Sequence, residues 1–237
     1  MKHAYITGTS RGIGKALAEL LLQEGWTVTG ISRSRSLEHA NYRHVEADLS
    51  GPWQEWLPRI FAEHGEGDRL ALINNAGTLG VVGYMGALPP EALAGALALN
   101  STAPSLLTNE FLKRYPRQEK LVLNVSSGAG QYPVDGWGPY CSSKAALDML
   151  SEVTAHEAAL AKRYNLHVFS VSPGVVDTAM QEQIRQTEKS AFSRIAYFLD
   201  LKRGSRLANP QEVARQMLPL IEHPDEYQGV KQDVRKL

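Results

Sequence analysis

The chain has 237 residues, with 25 basic residues against 25 acidic, one cysteine and seven histidines. That length suffices for a sizeable core within one unit, and zero formal net charge removes the electrostatic case for nucleic acid or an anionic membrane. Cys141 alone cannot form an internal disulfide, the histidines lack metal-ligand spacing, no apolar run is long enough to span a bilayer, and the first strand follows the opening MKH too closely for a signal peptide. A cytoplasmic protein without a metal is expected.

AYIT (4–7) is a short β-rich run, followed by the turn GTSRGIG and then KALAELLLQEG. Ile13, Leu17, Leu20 and Leu21 recur at helical spacing and Gly25 ends the pattern. In a strand–turn–helix context Gly8 permits the tight turn, Gly12 lets the backbone approach a pyrophosphate, Gly14 allows close helix packing, and the helix start attracts phosphate charge. Three residues separate Gly8 from Gly12, a departure from G-x-G-x-x-G, and glycines alone would fit an ordinary loop.

WTVTGIS (26–32) and YRHVEA (42–47) read as the second and third strands, WQEWLPRIFAEH (53–64) as a helix and RLALINN (69–75) as a fourth strand. Helical runs around Ala92–Leu99 and Pro104–Tyr115 follow, then the strands KLVLNVSS (120–127), LHVFSVS (166–172) and a short last one near Gly229. This alternation predicts one α/β domain over residues 1–237, a doubly wound, Rossmann-type parallel sheet of about seven strands with helices on both faces and ligands at the carboxyl ends of the strands.

The segment SGAGQYPVDGWGPYCSSK, from Ser127 to Lys144, carries the chemistry. Tyr140 and Lys144 lie four apart in a helical run and share a face, and Ser127 ends the fifth strand at the same mouth. A phenol can protonate a carbonyl oxygen, a cation can lower the phenol's pKa, and a hydroxyl can hold the carbonyl. Cys141, next to Tyr140, is either a pocket wall or a buried structural thiol.

The second strand ends ISRSRS, without the acidic residue that holds a ribose 2′-OH in NAD sites. Arg33 and Arg11 suit a 2′-phosphate, with Ser32 and Ser34 adding hydroxyls, so NADP(H) is the expected cofactor. Arg33 and Arg35 as solvated loop charges is the alternative.

TGTSRGIG (7–14), NNAG (74–77), Asn100, NVSS ending at Ser127, YCSSK (140–144) and SPGVVDT (172–178) together resemble the short-chain dehydrogenase/reductase family over essentially the whole chain. GWGPYCSSKAALDML, SPGVVDTAMQ and the C-terminal ending are closer to the sepiapterin and bacterial benzil reductases. The resemblance implies that Tyr140 is the general acid, Lys144 binds the nicotinamide ribose and lowers the tyrosine pKa, Ser127 orients the carbonyl and Asn100 supports a water relay. A fall of roughly three units from about 10 is about 4 kcal/mol, which one cation at about 4 Å in an effective dielectric of about 20 can supply.

The same resemblance places Ser10 and Ile13 with the glycines around the cofactor. It adds Asp48 and Leu49 near the adenine, Asn75, Ala76 and Gly77 on the adenosine side, and Pro173, Gly174, Val176 and Thr178 at the carboxamide. Read alone, Asp48 could be a helix cap and SPGVVDT an ordinary strand–helix connection. Trp137, Cys141, Gly174, Met180 and Gln181 would line an apolar substrate pocket with few anchoring charges, and residues 178–210 would fold over it as a lid or pack their aromatic and aliphatic side chains on the body or a partner subunit. Asp233 would match a pterin-anchoring carboxylate. The implied enzyme is an NADPH-dependent reductase of a vicinal dicarbonyl or a pterin side chain, a homodimer through helices near 104–115 and 140–163. An acyl-carrier ketone reductase and a non-catalytic NADP-binding regulator are the alternatives, since fold alone never proves activity.

Overall fold

Alternate residues of β1 (Lys2–Thr7) serve opposite faces of the sheet: Ala4 and Ile6 enter one core cluster and Tyr5 the other. The same division holds in β4 (Arg69–Asn74), where Ala71 and Ile73 oppose Leu70 and Leu72, and in β5 (Glu119–Val125), where Leu121 and Leu123 oppose Val122. Strands buried on both faces in this way belong to a parallel sheet covered by helices. The computed structural model, which describes residues 1–237, has seven parallel strands in the order β3-β2-β1-β4-β5-β6-β7. The others are β2 (Thr27–Ser32), β3 (Tyr42–Glu46), β6 (Leu166–Ser172) and β7 (Lys231–Asp233).

Helix α1 (Gly12–Gln23) packs on α8 (Pro210–Glu222) over one face. The other face carries α4 (Ala103–Arg114) and α5 (Gly138–Leu160), with Phe111, Tyr115 and Phe61 among its buried rings. Strand order reverses between β1 and β4, which pair directly. The crevice outside their carboxyl ends is where such sheets bind ligands.

Two predicted elements differ. The helix expected over 53–64 shrinks to α2 (Trp53–Trp56) and a single 3-10 turn, Leu57–Arg59. Pro58 has no N–H to continue the ladder and crowds the preceding turn. The two helical runs before β5 join into one rod, in which α3 (Pro90–Leu97) meets α4 through a π-helical stretch, Ala98–Thr102. Residues 178–210 hold α6 (Ala179–Arg185) and α7 (Ile195–Arg203). Phe192, Phe198 and Leu201 of that region pack with Trp137 and Tyr140 in a third cluster of eight buried residues, so it docks on the body of the chain. No helix is long and apolar enough to cross a membrane.

Candidate active site

A cleft of about 1510 Å³ opens over the carboxyl ends of the strands. It exceeds the range of roughly 300–1,000 Å³ typical of a single small ligand, leaving room for a dinucleotide beside a small substrate. Gly8, at φ +76°, and Gly12, at φ +60°, turn the chain from β1 into α1. A Cβ on Gly14 would stand 2.5 Å from the Gly8 carbonyl, so only glycine lets the helix lie this close. Thr7 Oγ1 accepts from the N–H groups of Asn75 and Ala76, each at 2.9 Å, and Asn75 Nδ2 donates to the Thr7 carbonyl at 2.9 Å. These bonds fasten the two turns on either side of the crevice.

Beside Gly8 and Gly12, the expected cofactor residues Ser10, Arg11, Ile13, Ser32, Arg33, Asp48, Leu49, Asn75, Ala76, Gly77, Pro173, Gly174, Val176 and Thr178 all line the cleft. The backbone cradle therefore fits a dinucleotide. Arg11 and Arg33 are exposed and neither enters an ion pair, whereas Arg35 is bound to Glu38 at 2.8 Å as a loop charge. Ser32 departs from its expected role. It is buried, and its hydroxyl donates to the Ser34 carbonyl at 2.9 Å and meets His44 Nε2 at 3.1 Å, so its donor is already committed. Asp48 accepts from Ser50 N–H at 3.0 Å and from its hydroxyl, which holds the carboxyl below the usual range.

The candidate reaction centre is assembled from the turn after β5 and the start of α5. Ser127, just beyond β5, caps a 3-10 turn, its hydroxyl accepting from Ala129 N–H at 3.2 Å. Tyr140 and Lys144 sit on the first turns of α5, with Lys144 Nζ 5.8 Å from the Tyr140 ring centre. Both side chains are buried and line the cleft. Lys144 Nζ donates to the Val125 carbonyl at 2.7 Å. Burial lowers its pKa to about 8, with the nearby Asp148 carboxylate pulling the other way. Burial pushes the Tyr140 phenol up, partly offset by its hydrogen bond with Ser127. A raised phenol pKa leaves the proton in place at neutral pH, as a general acid in reduction requires.

Asn100, in the π-helical stretch, does not line the cleft. Its Oδ1 accepts from Thr78 N–H at 2.8 Å, while Nδ2 donates to the Thr78 carbonyl at 2.8 Å and to Ser143 Oγ at 3.0 Å. The side chain therefore ties the strand-end turn to α5, one residue before Lys144.

On the substrate side, Trp137, Met180, Gly174 and Gln181 line the cleft as expected. Two residues do not. Cys141 faces away, its thiol 3.9 Å from the Val134 carbonyl. One residue along a helix is a turn of about 100°, so it cannot share the face of Tyr140 and Lys144. Asp233 is absent from the lining because Arg235 engages its carboxylate, with Nε at 2.8 Å from Oδ1. The guanidinium of Arg235 lines the cleft in its place, close to Gly174. The wall expected to be apolar also carries Arg185, Arg194 and Lys202. Sequence reasoning missed these cations, although the Gln181–Arg185 spacing of four on α6 marks a shared face.

The profile described as short chain dehydrogenase matches residues 2–189. The benzil reductase ((S)-benzoin forming) of Bacillus cereus is 34% identical, with 97% of each chain covered. The sepiapterin reductase of Xenopus tropicalis is 32% identical over 92% of this chain and 90% of that one. Among solved structures, the KRED1-Pglu enzyme superposes with a TM-score of 0.85 at 27% identity, covering 98% of this chain and all of that one. With its glycine turn, strand-end cleft and serine–tyrosine–lysine centre, the chain belongs to the short-chain dehydrogenase family, nicotinamide-dependent oxidoreductases that interconvert CH–OH and C=O groups.

Proposed function

We propose that this protein is an NADPH-dependent carbonyl reductase acting on a ketone of a vicinal dicarbonyl or of a pterin side chain. The observation that carries this reading is the convergence of Ser127, Tyr140 and Lys144 on a cleft whose other end is a dinucleotide cradle. When bound, the reduced nicotinamide supplies the hydride. The Ser127 hydroxyl holds the carbonyl oxygen, and Tyr140, its proton retained by burial, donates that proton as charge builds on the oxygen. Lys144, anchored to the Val125 carbonyl, sets a cation beneath the phenol and stabilises the phenolate left behind.

NADPH is favoured over NADH by the two unpaired guanidinium groups of Arg11 and Arg33 at the cleft and by the absence of a carboxylate at the end of β2. Relatives that are benzil and sepiapterin reductases support the substrate class. Exposed Met149 and Val153 on α5 supply apolar surface for a homodimer. One free cysteine accords with a cytoplasmic location. Oxidation of NADPH and of NADH should be followed against benzil, sepiapterin and an acyl-thioester ketone. Turnover of either of the first two with NADPH is expected. Activity on the thioester alone would overturn the substrate class, and no turnover of any ketone despite NADPH binding would overturn the catalytic reading.

A further inference from the structure

Six buried side-chain polar atoms have no hydrogen-bond partner in the protein, and four of them, Ser126 Oγ, Trp137 Nε1, Gln181 Oε1 and Arg185 Nη1, belong to residues lining the cleft. An unpaired buried donor or acceptor costs about 1–3 kcal/mol, and more when charged, so each calls for an explanation, and two of the four, on Gln181 and Arg185, share one face of α6. Gln181 is only 8% exposed. Arg185 stands one helical turn beyond it on α6, its Nη1 sealed from water. Among the neighbouring cations of the cleft, Lys202 is neutralised by Asp177 at 2.6 Å and Arg235 by Asp233, while Arg194 lies over the Tyr197 ring, 5.4 Å from its centre. Arg185 forms no ion pair.

The anionic groups of the cofactor have places elsewhere, at the Gly8–Gly14 turn and, on the reading above, at Arg11 and Arg33. Thr178, which precedes α6, lies 3.5 Å from the position a Cβ on Gly12 would take. At about 1.5 Å of rise per residue, Arg185 is on the order of 10 Å further along. Resting on the reductase reading, we propose that Arg185 and Gln181 form a subsite for a substrate carboxylate, so that the preferred substrate is an oxo acid and not a neutral diketone. The guanidinium presents donors to a planar carboxylate. The amide of Gln181, whose two ends are interchangeable by rotation, turns its NH2 to the same group.

Phenylglyoxylate and its methyl ester share the ketone and the ring and differ in the charge, so kcat/KM for this pair reads the subsite directly. The wild-type protein should favour the acid at least tenfold. Arg185→Met should collapse that acid-to-ester ratio through KM for the acid, with Arg185→Lys recovering part of it, and the NADPH dissociation constant from fluorescence titration should stay put. Equal wild-type rates on both compounds, a ratio unmoved by Arg185→Met, or a matching loss of NADPH affinity would each overturn the subsite. Should Arg185→Met fail to fold, the wild-type ratio and the lysine variant decide the matter. Reduction of benzil or sepiapterin without the acid defeats the subsite alone, whereas failure on every ketone defeats the reductase reading and the subsite with it.

Discussion

The two ends of the β-sheet are both rich in polar groups, yet they treat them oppositely. At the amino end the buried side-chain groups are occupied within the protein. Tyr5 OH meets His64 Nε2 at 2.8 Å and Tyr115 OH at 3.1 Å, His3 Nε2 meets Thr29 at 2.9 Å, and the chain's own terminal ammonium pairs with Asp68 at 2.8 Å. Trp26 Nε1 and Lys2 both donate to Glu222 at 2.6 Å. At the carboxyl end, Arg11, Arg33 and Arg185 have no ion-pair partner, and buried polar atoms of cleft-lining residues lack a hydrogen-bond partner. A satisfied polar network holds the fold together, whereas one left incomplete is a binding surface. Damage to the first end should therefore appear as lost stability, and damage to the second as lost activity.

The sharpest way to break this contrast is Tyr140→Phe, which removes one hydroxyl and keeps the ring. Turnover should fall by a factor on the order of a hundred or more, with the melting temperature and NADPH binding little altered. Near-normal turnover would remove the tyrosine from the chemistry.

Acid should attack the opposite end. Burial, aided by His64 and Arg43, lowers the His3 pKa to about 4. Since the unfolded histidine titrates near 6.5, the unfolded state binds more protons between those values, and stability present above pH 6.5 is lost as the pH falls toward 4. The integrated loss is about 3 kcal/mol. Urea unfolding at pH 7.5 and 4.5 should show a steeper fall for the wild type than for His3→Gln, and parallel behaviour would mean that other groups dominate.

Arg33→Asp replaces a phosphate partner with a repelling charge. A charged hydrogen bond is worth about 1.5–3 kcal/mol, so the NADPH-to-NADH ratio of kcat/KM should drop roughly ten- to a hundredfold. A wild-type enzyme that already used both cofactors equally would refute the phosphate assignment.

The smallest effect belongs to Asp233→Asn. Because this carboxylate holds Arg235 and does not line the cleft, KM for sepiapterin and for benzil should shift together by no more than a few fold. A selective loss on sepiapterin would return Asp233 to the role of pterin anchor.

Strands and glycine turn were legible in the sequence because strands buried on both faces are near-continuous apolar runs and because the turn glycines sit at fixed offsets. The serine, tyrosine and lysine of the candidate site were legible because Ser127 follows the end of a strand and because Tyr140 and Lys144, four residues apart, share one helix face. What escaped was decided by local phase or by contacts between residues. Pro58 cut short a helix that apolar spacing favoured, and helix rotation turned Cys141 away from the cleft. Arg235 covered Asp233 by a bond that only the folded end of the chain creates. The cations of α6 and α7 face the cleft because that segment docks through Phe192 and Phe198, packing that no short motif announces.

The π-helical stretch Ala98–Thr102 makes chain length itself a parameter of this site. A π turn is an α-helix with one residue too many, and here the surplus sits where Asn100 grips Thr78 and Ser143. Deleting one residue between 98 and 102 would restore regular helical pairing and improve the backbone ladder. It would also rotate α3 by about 100° against α4, carrying Asn100 off its partners. A shorter protein would thus gain helix and lose the bonds that tie Thr78 to Ser143, so the number of residues in this stretch, as much as side-chain chemistry, sets the geometry around Lys144.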